Sequence, residues 1–131
     1  MTPRRPRSSR LREDRGSATA ETAVVLPVVV MLVLVLGLAG SGLALQVRLE
    51  TGARAAAREL ARGEDEGSAI AAAREVAGPS ADVSISREGD LVRVRVTREL
   101  RASSGILAGA RWPLAAEAVA RVEPHLVGAF P

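Results

Sequence analysis

The chain has 131 residues, 18 basic and 15 acidic, for a formal net charge of +3; every basic residue is arginine and there is no cysteine. Without cysteine, disulfides, thiolate catalysis, cysteine zinc sites and a lipid-modified cysteine anchor are excluded. The only histidine, His125, lies near the end of the sequence and reads as a solvated side chain, so no His or carboxylate cluster has metal-ligand spacing, the serines lack a credible triad partner, and no Gly-rich phosphate loop is present. These features point away from an enzyme, from a cofactor and from a small-molecule substrate.

Residues 1–16 read as an arginine-rich leader that ends on Gly16. Six arginines lie in residues 1–21 against Glu13, Asp14 and Glu21, whereas residues 46–131 hold twelve arginines and twelve acids. The whole positive excess therefore precedes the apolar segment. Such a bias keeps the N-terminus in the cytoplasm and sends the C-terminal part out. The basic stretch is short and lacks interleaved aromatics, so it does not read as a nucleic-acid surface. A twin-arginine signal at Arg4-Arg5 is discounted, because Pro3 and Pro6 flank the pair and the apolar region is distant.

Residues 17–45 read as a transmembrane and assembly helix. From Ala23 to Leu45 there is no charge, with seven Val and seven Leu. At 1.5 Å per residue that stretch is roughly 34 Å long, enough to cross a hydrocarbon core of about 30 Å. Those branched residues together favour insertion by about 6 kcal/mol. Valine is a poor helix former in water, but lipid forces every backbone amide to find an internal partner. A cleavable secretory signal ending near Ala39-Gly40-Ser41 is the rival reading; its apolar region is normally shorter. Pro27 removes one helical hydrogen bond. Gly37 with Ser41, and Gly40 with Ala44, are small-xxx-small pairs that let helices approach closely in a membrane.

Residues 46–78 read as extracytoplasmic helices. Leu49, Ala53, Ala56 and Leu60 form one apolar stripe, and Glu50 and Arg54 are a favourable i,i+4 pair. Nothing between Leu45 and Gln46 breaks a helix, so the membrane helix is expected to continue outward, interrupted locally at Gly52. The run Gly63-Glu64-Asp65-Glu66-Gly67 ends it. Ser68 is expected to cap a second helix through about Ala77, with Ile70, Ala73 and Val76 inward. Gly78-Pro79 stops that helix.

Residues 79–124 read as a small β-rich head, and 125–131 as a tail. Val83 and Ile85 alternate with Ser84 and Ser86; Val92, Val94 and Val96 alternate with Arg93, Arg95 and Thr97; Gly89-Asp90 lies between the runs. That is a hairpin with one apolar face, which the long helix is expected to cover, and one charged face. The charged face reads as solvated, or as an interface with a neighbouring subunit. Arg101 to Pro113 reads as irregular, with Ile106, Leu107 and Trp112 capping the core. Residues 114–123 are open between helix and strand, a third strand being favoured because two alone are marginal. The fold class is α+β: a long N-terminal membrane-spanning helix running into a small head, with a second helix and an antiparallel sheet of two to three strands. About 85 exported residues with mostly alanine-based helices give a thin core that leans on neighbours in an assembly.

The segment Arg15 to Glu21 carries the function. Gly16 has no Cβ, so the chain there can lie extended in a narrow active site, and Ser17 to Ala20 keep the next turn slim. A cut after Gly16 would leave an ammonium on Ser17, with Glu21 the fifth residue of the new chain. A carboxylate in the first turn is favoured by the helix dipole, but near lipid it needs a cationic partner, its own amine or a neighbouring subunit's.

Here the sequence resembles a type IV prepilin: an Arg-rich leader, Gly16, Glu21 five positions after the cut, and Pro27 within the apolar helix. The wider pattern resembles the TadE-like minor pilins, or pseudopilins, of tight-adherence pilus systems, particularly those of actinobacteria. RGSATAETAVVLP is the specific part; QVRLETGARAAARELARGED, EGDLVRVRV and AVARVEP extend it. One departure is Thr22, where such pilins usually carry Phe or Tyr. The resemblance implies processing by a prepilin peptidase between Gly16 and Ser17, and Glu21 as the assembly carboxylate. It further implies partnership with other pilin or pseudopilin subunits and the assembly machinery. The expected location is the bacterial cytoplasmic membrane, single-pass, with incorporation into a pilus as a further state. The alternative is an unprocessed single-pass anchor whose exported domain binds an envelope partner.

Overall fold

The computed structural model describes residues 10–103 and 105–122. Residues 1–9 of the leader, the end of the head from residue 123 and the tail with His125 lie outside the described residues. Five elements follow in order: α1 (Arg10–Ala61), α2 (Glu66–Ala77), β1 (Asp82–Glu88), β2 (Leu91–Arg101) and β3 (Arg111–Arg121). The architecture is α+β, with an antiparallel three-stranded sheet in the order β1-β2-β3.

The chain divides into two units, Met1–Ala39 and Gly40–Pro131. In the first, the described residues are helical, and every large apolar side chain from Val24 to Leu36 is between 45% and 69% exposed. Helix α1 is long and apolar enough to cross a membrane, and none of its most apolar window is buried. A helix apolar on all sides and covered on none has lipid as its natural surroundings.

The second unit holds the core. From α1 come Leu45, Leu49, Ala53, Ala56, Ala57 and Leu60, all buried, on the stripe expected from the 3.6-residue period. Helix α2 adds Ala69, Ala73 and Ala77, and β2 adds Val92, Val94 and Val96. Eight of the 14 buried core residues are alanine, so the helices approach closely but bury little apolar area per residue. Gly52 does not interrupt α1. It is buried, and a Cβ there would lie 2.9 Å from the Ala73 carbonyl oxygen and 3.2 Å from the Ala77 Cβ. The glycine is the point where α2 crosses α1.

The cap of α2 differs from the sequence expectation. Asp65, not Ser68, is the N-cap: its carboxylate accepts from the Ser68 backbone N–H at 3.2 Å and from the Ser68 hydroxyl at 2.6 Å. Ser68 stands one turn in, as the donor. The inward face is accordingly Ala69-Ala73-Ala77, with Ile70 and Val76 half-buried. At the other end Arg98, on the helix-facing side of β2, donates to the Ala77 carbonyl at 2.9 Å. A cation on the last carbonyls suits the helix dipole.

The hairpin forms across the expected Gly89-Asp90 turn. Glu88 pairs with Leu91 across Gly89-Asp90, and Gly89 has φ +61°. Positive φ at the first of two central residues matches a type II′ turn. Residues 111–121 are a strand, paired along its length with β2. Alanine prefers helix in isolation, but the open edge of β2 and the inward alternation of Leu114, Ala116, Ala118 and Ala120 override that preference. Pro113 is accommodated because β3 is an edge strand. The irregular stretch is shorter than expected, confined to the loop between Arg101 and Arg111. Trp112 is 37% exposed, Leu107 41% and Ile106 83%, so they do not cap the core. The loop closes on itself through Gly109 N–H to the Ala102 carbonyl, 3.2 Å, and Ala110 N–H to the Leu107 carbonyl, 3.0 Å.

Candidate functional site

The candidate segment of the first unit lies on α1. Gly16 and Ser17 are helical and exposed, and a Cβ on Gly16 would meet nothing within 4 Å. Glu21 is exposed and has no ion-pair partner among the described residues. It borders a shallow groove along one helix face, formed with Ala18, Thr22, Val25, Leu26 and Val29. A carboxylate thus opens an apolar stripe that nothing covers among the described residues. Thr22 turns its hydroxyl back onto the Ala18 carbonyl at 2.9 Å, which satisfies the hydroxyl locally at the start of the apolar face. Pro27 sits inside α1 and has no N–H to give to the Ala23 carbonyl.

The small residues proposed for helix packing divide. Gly37 and Gly40 each have open space where a side chain would stand. Ser41 and Ala44 line a groove of about 920 Å³ in the second unit. Gly42, outside the expected pairs, is the glycine in contact, its Cβ position 3.5 Å from the Leu100 Cδ2.

That groove was not foreseen. Its walls carry Arg48, Arg98, Arg101 and Arg111 against Asp82 and Glu99. Glu99 pairs with Arg101 at 3.2 Å and reaches Arg111 at 3.9 Å. Arg48 has no ion-pair partner among the described residues. No sequence period marks these arginines as a group; the β2–β3 register and the α1 crossing bring them together.

The outward face of the sheet is held by side-chain pairs. Arg93 binds Glu117, and Arg121 binds Asp90 at 3.0 Å, while Arg95 stands exposed without an ion pair among the described residues. The Arg93 hydrogen bond holds the Glu117 carboxyl below its ordinary pKa, and the Ser68 hydroxyl and N–H do the same for Asp65. Among the described residues no group of three or more His, Asp and Glu stands where it could hold a metal ion.

Residues 16–58 match the model of a family described as TadE-like protein. The chain is TadE-like over residues 16–58. The match begins on Gly16 and runs through the exposed apolar helix to the buried stripe of the second unit. It covers most of RGSATAETAVVLP and the first part of QVRLETGARAAARELARGED, and with a helix long and apolar enough to cross a membrane it fits a membrane-anchored protein of a pilus-associated family. No curated protein and no solved structure matches the chain.

Proposed function

We propose that the chain is a TadE-like minor pilin, a structural rather than catalytic subunit that joins a tight-adherence pilus or a related secretion assembly. The observation that carries this reading is the coincidence of the family match with an uncovered apolar helix that opens on Gly16 and Glu21. In this reading the arginine-rich leader, residues 1–16, stays in the cytoplasm. The helix of residues 17–45 spans the membrane, and residues 46–78 and 79–124 form the exported head.

A prepilin peptidase then cuts between Gly16 and Ser17. The scissile bond lies in helix in the uncleaved chain, and a protease needs it extended. Gly16 costs the helix about 1 kcal/mol relative to alanine, which makes local unwinding there easier than at any neighbouring residue. Cleavage removes the leader and creates an ammonium on Ser17, largely protonated at neutral pH because its pKa is near 8. Glu21, one turn away, is then the acidic partner for an amine. Pairing with the amine of an adjacent subunit would fix the axial register of packed helices, and the open faces at Gly37 and Gly40 would let backbones approach.

The test uses Gly16→Ala and Glu21→Ala in the host. Gly16→Ala is expected to keep the leader on, and Glu21→Ala to be processed but to lose assembled pili. Unchanged mass and unchanged piliation in both variants would overturn the reading.

A further inference from the structure

We propose that the β2–β3 hairpin tip is a second membrane contact, a monotopic wedge that seats in the lipid headgroup layer beside the emerging helix. It rests on the reading of α1 as a membrane span. The placement comes from contacts inside the second unit. Gln46 Nε2 donates to the Ala115 carbonyl at 3.1 Å, and Ala115 pairs with Thr97. Farther along β2, Leu100 lies against Gly42. As β2 advances from Thr97 to Leu100, its level on α1 falls from Gln46 to Gly42, into the last turn of the uncharged segment. The strand direction therefore carries the Arg101–Arg111 end of the hairpin to the membrane side of the head.

The chemistry of that end suits lipid. The loop between Arg101 and Arg111 has no charge, and its side chains at Ile106 and Leu107 are exposed although nothing in the soluble core needs them there. Trp112 follows, part-exposed; indole favours the interface, where its ring is dehydrated and its N–H stays wet. Arg101 and Arg111, cross-strand partners, bracket the apolar tip and share the single carboxylate of Glu99. Arg48, with no ion-pair partner among the described residues, adds a guanidinium just past the apolar segment. Guanidinium forks match phosphate oxygens, so the occupant this surface fits is a phospholipid layer with anionic headgroups. An apolar tip ringed by arginine at the depth of a helix exit is the arrangement of an interfacial anchor.

Trp112 is the only tryptophan, so its emission reports this tip alone. The full chain is reconstituted in vesicles of phosphatidylcholine with phosphatidylglycerol, and flotation with the vesicles is checked first. The proposal expects a blue-shifted emission and protection from acrylamide. Lipids brominated near the glycerol end should quench more strongly than those brominated near the terminal methyl. Ile106→Asp combined with Leu107→Asp should lose lipid quenching while far-UV dichroism is kept, and vesicles of phosphatidylcholine alone should quench less. A chain that floats but leaves Trp112 open to acrylamide and untouched by brominated lipid would overturn the wedge and leave the anchor standing. Protection that disappears on diluting to one chain per vesicle would mean a second copy covers the tip, and would also overturn it. A chain that fails to float overturns both readings.

Discussion

Gly52→Ala separates a local account of α1 from a packing account. In a helix interior alanine is better than glycine by about 1 kcal/mol, so propensity alone has the variant more stable. The structure puts the new methyl 2.9 Å from the Ala73 carbonyl oxygen, a backbone atom that cannot swing aside, and 3.2 Å from the Ala77 Cβ. Helix α2 must shift, and forcing an extra carbon into a packed interface typically costs about 1–3 kcal/mol. The expected net effect is a loss of about 1 kcal/mol, and for a head of this size that is roughly 4–8 °C in the midpoint. Gly52→Val should lose about 1 kcal/mol more, because its branched carbons meet the same carbonyl. Thr51→Ala is the control. Thr51 is exposed and its hydroxyl serves only the Val47 carbonyl in the same helix, so this variant should gain about 0.5 kcal/mol. The assay is denaturation of the full chain in detergent micelles, followed by Trp112 emission and far-UV dichroism. A Gly52→Ala variant stabilised as much as propensity allows would refute the close crossing of α1 and α2.

The remaining expectations rest on the same core. Leu49→Ala should cost about 2–5 kcal/mol in the same denaturation assay, since Leu49 is fully buried among alanines that cannot collapse far into the cavity. Asp65→Ala should lower the midpoint by freeing the Ser68 N–H, and Asp65→Asn should lower it less, because the amide oxygen can still accept. The carboxyls of Asp65 and Glu117 are both held below their ordinary values. Their contribution is complete above the ordinary carboxylate pKa of about 4 and is lost as pH falls through the lower folded values. Wild type should therefore lose stability below about pH 4, with a shallower acid slope in Asp65→Asn.

Much of the fold was legible because two periods dominate the sequence. Leu49, Ala53, Ala56 and Leu60 repeat at helical spacing and are all buried; Val92, Val94 and Val96 alternate and are all buried. What was not legible depends on distant partners. Gly52 reads as a helix break until Ala73 is placed beside it. Asp65 and Ser68 are both capping residues, and the choice between them lies in which one reaches the other's N–H. Trp112 reads as core because of its size, but its register opposite Leu100 puts it at the open end of the sheet. The arginines of the groove come from three separate elements and share no local motif. Gly16 and Glu21 stand out in the sequence as a spaced pair, and the helix leaves both exposed, Gly16 at the proposed cleavage position and Glu21 beside a shallow groove on an apolar face.

The central claim is that this chain is cut after Gly16 and assembles through the helix so released. The most direct measurement is the intact mass and N-terminal sequence of the protein taken from host membranes. The account predicts a chain beginning at Ser17. A chain still carrying its arginine-rich leader would contradict it and leave a plain membrane anchor, while one beginning near Gly42 would make the apolar segment a discarded signal.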